Sequence, residues 1–268
     1  MDSIKQAIDI ARATEGGARR AAVSVPDPAR PGLRDPQFRE VGLSEAHLEQ
    51  TRIVAHGVGT PNGRYYDMLR AQVLQEMDKN SWQFLAVTSP TVACGKTVTA
   101  CNLAMSVARL PERSVLLVDM DMRKPMVADY LGLESDSGIV SVLEERRTLA
   151  SALIQAGIGP SKLLVLPGEV AATTSSEWMA SQTMGTLLQT IKRDLRSRIV
   201  IFDLPPMLIG DDVISILPQM DAVLLVAGIG TTSVADIKEC QKHLQRSNVI
   251  RVVVNKVTDS ADDYHAYY

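Results

Sequence analysis

An alternation of short apolar runs with amphipathic stretches, from position 81 onward, is the feature that most constrains the fold. The runs are rich in Val, Ile and Leu without polar alternation, which is typical of strands covered on both faces. They lie at 84–88, 115–119, 163–166, 199–203, 222–226 and 249–255. Helical stretches at 97–109, 182–195 and 233–246 separate several of them. The pattern predicts an α/β fold, a doubly wound, mainly parallel sheet flanked by helices.

The segment before position 44 has a different composition. Ile4, Ala7, Ile8 and Ala11 share one helical face, which predicts a short amphipathic helix within residues 1–15. A frayed tail and a docking helix for a partner both fit it. Pro, Arg, Ala and Asp dominate residues 16–43 and predict a linker. We therefore expect the main domain at 44–258, followed by an acidic, tyrosine-bearing tail at 259–268.

Charge and composition narrow the class of partner. The 268 residues carry a formal net charge of -3, which argues against nucleic acid or anionic lipid as the dominant partner. The 3 cysteines are too few and too scattered for a disulfide framework, which suits the cytoplasm. No run reaches the roughly 18 to 20 apolar residues of a spanning helix. We therefore expect membrane association to come through a partner.

The first motif joins the apolar run at 84–88 to a small-residue loop that ends in Gly95, Lys96 and Thr97 at a helix start. Free backbone N–H groups and the helix dipole favour phosphate oxygens at such a junction. Lys96 would reach the β- and γ-phosphates of ATP, and the Thr97 hydroxyl would bind Mg²⁺. Pro90 stands where the strict P-loop pattern has glycine. An ordinary strand-to-helix turn is the alternative.

Two further apolar runs end in carboxylates. Asp119 and Asp121 follow the run at 115–119, with Arg123 close behind to balance their charge, and Asp203 ends the run at 199–203. These acids could orient metal-bound water, accept a hydroxyl proton and hold Mg²⁺. A single Asp at a strand end is commonly a helix cap or a turn residue. The loop that ends in Thr97 and the two acidic motifs follow one another in this order along the chain. Together they favour a nucleotide site at the carboxyl ends of the strands.

Together these motifs resemble those of the bacterial tyrosine kinases (BY-kinases), a family that controls capsule and exopolysaccharide synthesis and has the Min/Par-type P-loop fold. The resemblance runs from about position 52 to the C-terminus. It rests on the P-loop, on the Asp-x-Asp-x-Arg that starts at Asp119, and on the Asp-x-Pro-Pro that starts at Asp203. A tyrosine cluster also ends the family's chains, and here Tyr264, Tyr267 and Tyr268 are half of the 6 tyrosines.

The resemblance implies a magnesium- and ATP-dependent tyrosine autokinase that phosphorylates Tyr264, Tyr267 and Tyr268 in trans within a ring of subunits. It implies a membrane-bound chain-length regulator as activator, a phosphotyrosine phosphatase as a further partner, and a peripheral position at the inner membrane. By position the catalytic residues are Lys96, Asp119, Asp121 and Asp203. The nucleotide-binding residues are Ala93, Cys94, Gly95, Lys96, Thr97, Val98, Arg123 and Asn255, and the metal ligands are Thr97, Asp119 and Asp203.

Some positions depart from the family pattern. Ala93 and Cys94 replace a Gly-Glu pair, and alanine restricts a positive φ, which predicts weaker ATP binding. In the family's Glu-x-x-Arg-x-x-Arg interface motif, Arg64 and Asp67 exchange the first two charges and Arg70 is retained. Two outcomes remain possible: an ion pair between subunits with the two charges reversed, or loss of the ring of subunits.

Several alternatives stay open at single residues and for the whole chain. Asn255 either contacts adenine or ends a strand, and Cys94 is either a neutral small residue or an oxidation switch. The tail tyrosines are either phosphoacceptors or an aromatic clasp. For the chain as a whole, the rivals are a Min/Par-type ATPase switch and a catalytically weakened nucleotide-binding scaffold. Thr91 stands where the ATPase switches carry an extra loop lysine.

Overall fold

Eight strands form one sheet in the computed structural model, which describes residues 38–57, 59–60, 62–171, 175–195 and 198–257. The spatial order is β1-β4-β5-β3-β6-β2-β7-β8. The strands are β1 (Arg39–Gly42), β2 (Phe84–Thr88), β3 (Ser114–Asp119), β4 (Ile154–Ile158), β5 (Ser161–Leu166), β6 (Arg198–Asp203), β7 (Ala222–Gly228) and β8 (Val249–Asn255). Neighbouring strands pair in parallel, except for the antiparallel β4–β5 hairpin.

The helices fall between these strands. They are α1 (Glu45–Gln50), α2 (Gly63–Asn80), α3 (Lys96–Ala108), α4 (Val127–Leu131), α5 (Ile139–Leu143), α6 (Leu149–Ala152), α7 (Ser175–Met179), α8 (Gln182–Asp194), α9 (Asp212–Ile216) and α10 (Val234–His243), with a 3₁₀ turn at Leu217–Gln219. The predicted α/β fold with a mainly parallel sheet and flanking helices is confirmed.

Both faces of the sheet are buried over its central strands, which explains their uninterrupted apolar runs; the run of β8 was likewise predicted to be covered on both faces, but this edge strand is mostly exposed. Successive side chains of a strand point to opposite faces. Leu85 and Leu117 accordingly belong to one apolar cluster, with α2 and α3. Leu116 and Phe202 belong to the other, with α5, α7 and α8. Strands covered on both sides need apolar residues at every position, so periodicity of two is absent from the sequence.

Two strands escaped the sequence prediction. β1 lies inside the segment 16–43 that was predicted to be a linker, so the prediction was wrong at 39–42. Its four residues pair with β4 as an edge strand, and most of them are exposed, so they carry no apolar run. β4 contains Gln155 and Gly157, which likewise interrupt the apolar pattern.

Other predictions fall outside the described residues. These are the amphipathic helix within 1–15, most of the 16–43 linker, and the tail at 259–268 with Tyr264, Tyr267 and Tyr268. Within the described part of the chain, no helix combines the length and the apolar character needed to cross a lipid bilayer.

Asp221 ties the start of the central strand β2 to its neighbours. One carboxylate oxygen accepts the backbone N–H groups of Gln83 at 2.9 Å and Phe84 at 2.8 Å. The other accepts from Lys192 of α8 at 3.1 Å. Since β2 leads directly into the loop before α3, this carboxylate anchors the strand from which that loop departs.

We therefore predict that Asp221→Ala lowers the free energy of unfolding by about 1–3 kcal/mol, because two backbone donors lose their acceptor. Urea denaturation followed by circular dichroism measures the change. The matched control is Asp194→Ala, which removes an exposed carboxylate bonded to Arg193 and should leave stability almost unchanged. Equal effects of the two substitutions would contradict this role of Asp221.

Candidate active site

The loop between β2 and α3 wraps tightly in front of the helix. Gly95 has φ 91° and Ala93 has φ 60°, so both take the left-handed region. A Cβ at Gly95 would collide with the side chain of Asn255, which donates a 2.9 Å hydrogen bond to the carbonyl of Cys94. Asn255 of β8 thus holds the loop from behind. The loop itself lies between the carboxyl end of β2 and the start of α3.

Lys96 points from the start of α3 into a group of acids. Its Nζ lies 3.1 Å from Asp121 and 3.3 Å from Asp203. Its side chain is only 12% exposed. Lys96 follows β2, Asp121 follows β3 and Asp203 ends β6. The chain segments at the carboxyl ends of these three strands therefore meet at the Lys96 ammonium group.

Asp203 is fully buried at the end of β6 and is bonded to the start of α3. Its Oδ2 accepts a 2.6 Å hydrogen bond from the Thr97 hydroxyl, and Lys96 donates to both of its oxygens. The carboxylate and the hydroxyl predicted to bind Mg²⁺ are therefore adjacent.

Asp119 lies beside Asp203, because the two residues are register partners of β3 and β6. Its Oδ2 accepts the backbone N–H groups of Met126 and Val127, each at 2.9 Å, and its Oδ1 accepts that of Asp121 at 3.1 Å. These bonds shape the turn after β3. A carboxylate accepts about four hydrogen bonds, so Asp119 keeps roughly one position for a further partner.

Burial and mutual repulsion shift the protonation of this group. Burial, reinforced by the Asp203 charge, raises the pKa of Asp119 to about 7 despite the opposing N–H donors. Burial also raises the pKa of Asp203, against the effects of Lys96 and Thr97. Burial lowers the pKa of Lys96, but the charges of Asp203 and Asp121 outweigh it and leave that pKa above its usual value. The ammonium is therefore stabilised by the acids around it.

Arg123 belongs to a second cluster. Its guanidinium donates to Asp212 at 2.7 Å and to the Ser175 hydroxyl at 2.9 Å, and Ser175 in turn bonds to Asp212. Arg123 was predicted to balance Asp119 and Asp121, whereas it forms an ion pair with Asp212. The cluster joins the turn after β3 to α7 and α9. Sequence spacing could not reveal it, because its members are 52 and 37 positions apart.

Two further residues predicted to bind nucleotide, Cys94 and Val98, are at least partly buried. Cys94 is buried, and hydrogen bonds from Thr232, Thr91 and Thr231 outweigh the effect of burial and lower its pKa to about 7. Val98 is partly buried and packs against the apolar cluster that includes α2 and α3.

Asp67, for which an intersubunit pair of reversed polarity and loss of the ring were both open, makes its contacts within the chain. Asp67 accepts from Arg70 at 3.1 Å, from Arg109 at 3.0 Å and from the Ser106 hydroxyl at 2.6 Å. Arg70 also donates to the backbone carbonyl of Ser106. The hypothesis of a reversed intersubunit pair through Asp67 is therefore disfavoured, because this carboxylate already joins α2 to α3.

The oxygen-rich group fits a small hard cation. Magnesium binds oxygen ligands such as carboxylates and hydroxyls and retains several waters. The adjacent Thr97 hydroxyl and Asp203 carboxylate supply two such donors, and Asp121, whose side chain is 8% exposed, can supply another.

Comparison with known proteins gives a consistent result. Residues 85–266 match the CobQ/CobB/MinD/ParA nucleotide binding domain. EpsB of Ralstonia nicotianae is 28% identical over 192 residues, 71% of this chain and 25% of EpsB. The tyrosine-protein kinase CpsD of Streptococcus pneumoniae is 26% identical over 206 residues, 76% of this chain and 88% of CpsD. The chimerical protein CapA2B2 superposes with a TM-score of 0.70 at 23% identity, covering 83% of this chain and 94% of that one.

The chain spans about a quarter of the length of EpsB. The family match covers the loop after β2, both acidic motifs and the strands β3 and β6 that carry them. The structural likeness to CapA2B2, which covers most of both chains, shows that the two share a fold. The chain therefore belongs to the CobQ/CobB/MinD/ParA nucleotide-binding domain family, and within that family it is similar to bacterial tyrosine-protein kinases such as CpsD.

Proposed function

We propose that the chain binds MgATP at Lys96 and transfers the γ-phosphoryl group to tyrosine, including Tyr264, Tyr267 and Tyr268 of another copy. The observation that carries the proposal is the convergence of Lys96, Asp121 and Asp203 beside the loop at the carboxyl edge of the sheet. Phosphoryl transfer depends on positioning and on charge stabilisation rather than on covalent chemistry, and this group supplies both.

Lys96 acts as the phosphate ligand. Without nucleotide its ammonium is held by Asp121 and Asp203, so it is charged and already aimed at the edge of the sheet. A triphosphate on the loop competes for the same ammonium. Lys96 then offsets the negative charge on the transferred phosphoryl oxygens.

Thr97 and Asp203 are the proposed holders of Mg²⁺, which neutralises phosphate charge when bound. The hydrogen bond between the two side chains orients the Thr97 oxygen before any ligand arrives. Asp119 then acts mainly by fixing the turn that carries Asp121.

Asp121 is the proposed acceptor of the tyrosine proton. It is 5% exposed, whereas Asp119 and Asp203 are fully buried, so it is the acid of the three that an incoming side chain can approach. Departure of Lys96 toward the phosphates frees the Asp121 oxygen that the ammonium occupies. That oxygen can then accept the hydroxyl proton.

The family relationship supports the wider setting. CpsD carries the name tyrosine-protein kinase, and the match to it covers most of both chains. We extend the proposal to regulation of capsule or exopolysaccharide synthesis, a ring of subunits, activation by a membrane-bound chain-length regulator and reversal by a phosphotyrosine phosphatase. Such an activator would hold the kinase, in the cytoplasm, at the inner membrane.

We predict that Lys96→Met lowers tail phosphorylation by about 100-fold or more, because the phosphate charge loses its main cation. Purified full-length protein is incubated with MgATP and an activator segment, and phosphotyrosine is mapped by mass spectrometry. Lys238→Met, an exposed lysine of α10, is the matched control and should retain activity, and truncation after Asp263 should remove the signal. ATP hydrolysis without phosphotyrosine would instead indicate an ATPase switch, and the absence of both signals a scaffold.

A second prediction concerns backbone strain in the loop. Ala93 has φ 60°, a conformation that costs a non-glycine residue about 1–2 kcal/mol. Ala93→Gly should therefore raise the free energy of unfolding by about 1 kcal/mol. Gly95→Ala should do the opposite and abolish ADP binding, because the new methyl meets Asn255. Denaturation and ADP calorimetry test both, and a stabilising Gly95→Ala would refute this description of the loop.

A third prediction follows from the protonation of Asp119. Its pKa of about 7 means that the carboxyl is largely protonated at pH 6. A divalent cation nearby favours the ionised form, so binding of Mg²⁺ and ADP should release a proton and weaken as the pH falls below 7. Calorimetry at pH 6.5 in two buffers of different ionisation enthalpy measures the release. Equal heats in both buffers, with affinity independent of pH, would contradict the prediction.

A further inference from the structure

A second group of potential ligands lies on α1, in a part of the chain that the nucleotide site does not use. Glu45 and Glu49 are four residues apart and therefore share one face of the helix. His56 faces them, and one ligand atom from each of the three residues lies within 4.8 Å of the others. Exposed carboxylates alone are common, so the case depends on His56.

The imidazole of His56 is oriented by the backbone. Its Nδ1 lies 2.7 Å from the carbonyl oxygen of Ile53. A carbonyl can only accept, so Nδ1 is the protonated nitrogen, and in the neutral ring Nε2 offers a lone pair. Metal-bound histidines commonly have this arrangement, in which the second nitrogen donates to a carbonyl and fixes the ring.

The Nε2 atom of His56 is buried and lacks a hydrogen-bond partner among the described residues. The side chain is 3% exposed, and within the described residues no hydrogen-bond partner for Nε2 is found. A buried polar atom in this state costs free energy unless a ligand or an ion completes it. Its nearest acidic atom is an oxygen of Glu45 at 3.5 Å.

Backbone hydrogen bonds fix the position of His56 relative to α1. Arg52 takes φ 64° after α1, and the N–H groups of Arg52 and Ile53 bond to Glu49 and Leu48, which is a Schellman ending. The chain therefore turns back along the helix. The Asn102 side chain of α3 accepts the N–H groups of Val54 and Ala55 at 2.8 and 2.9 Å. His56 is thus held over Glu45 and Glu49 from two sides.

We propose that Glu45, Glu49 and His56 bind a divalent first-row transition metal ion such as Zn²⁺. Zinc–ligand bonds of about 2.0–2.2 Å place tetrahedral ligand atoms about 3.3–3.6 Å apart, and the 3.5 Å between Nε2 and Glu45 fits. Both glutamates are exposed, so Glu49 can close the remaining gap by a side-chain rotation. The nitrogen donor favours zinc over magnesium or calcium, which prefer oxygen. Solvent takes the fourth position.

Calorimetric titration of untagged full-length protein with Zn²⁺, in excess Mg²⁺ and ADP, tests the site independently of catalysis. We expect Glu49→Gln and His56→Gln each to weaken one zinc equivalent by about 10-fold or more. His243→Gln, an exposed histidine on α10, is the matched control and should bind like the wild type. X-ray absorption of the zinc-loaded wild type should show one imidazole with oxygen neighbours.

Wild-type protein that takes up no zinc, or variants that bind as tightly as the wild type, would overturn the proposal. If His56→Gln fails to fold, the zinc affinity of Glu49→Gln tests the site instead, because Glu49 is exposed. An absorption spectrum with sulfur ligands would place the metal at a cysteine instead and would equally contradict it. A zinc equivalent lost in Glu49→Gln would support the site even if Lys96→Met retained full kinase activity.

Discussion

The register between β3 and β6 is the constraint on which the rest of the site depends. It pairs Asp119 with Asp203 at a buried edge of the sheet, where two adjacent carboxylates repel each other and are poorly solvated. Their neighbours relieve this cost in different ways. Backbone N–H groups surround Asp119, whereas Lys96 and Thr97 bind Asp203. The position of Lys96 is thus a consequence of sheet geometry as much as of the loop that carries it.

The same geometry explains how the site can respond to a ligand. The Lys96 ammonium is shared between Asp121 and Asp203, so a triphosphate must displace existing contacts to bind it. Part of the binding free energy is spent on this exchange, whereas the strain at Ala93 is already present in the folded loop. A partner that stabilises the nucleotide-bound arrangement would therefore have a large effect, which agrees with the proposed activator. Asn255 opposes the strain by holding the loop from β8.

Much of the fold was predictable because its central strands are buried on both faces. The apolar runs at β2, β3, β5, β6, β7 and β8 were recognised, and the acids that end β3 and β6 were recognised with them. β1 and β4 were missed, since the polar, mostly exposed residues of β1 and the Gln155 and Gly157 of β4 leave no such run. Contacts between segments that are distant in the sequence, such as that of Arg123 with Asp212, could not be predicted either. The grouping of His56 with Glu45 and Glu49 was also not predictable from the sequence, because it depends on the Schellman turn at Arg52.

The central claim is that Lys96 exchanges carboxylates for phosphate. A crystal structure with Mg²⁺ and a non-hydrolysable ATP analogue tests it most directly. The account predicts that Nζ leaves Asp121 for the terminal phosphates, while Asp203 stays within hydrogen-bond reach of Thr97 or of a water on the metal. Nucleotide bound elsewhere, or bound at the loop with the contact between Lys96 and Asp121 intact, would contradict it.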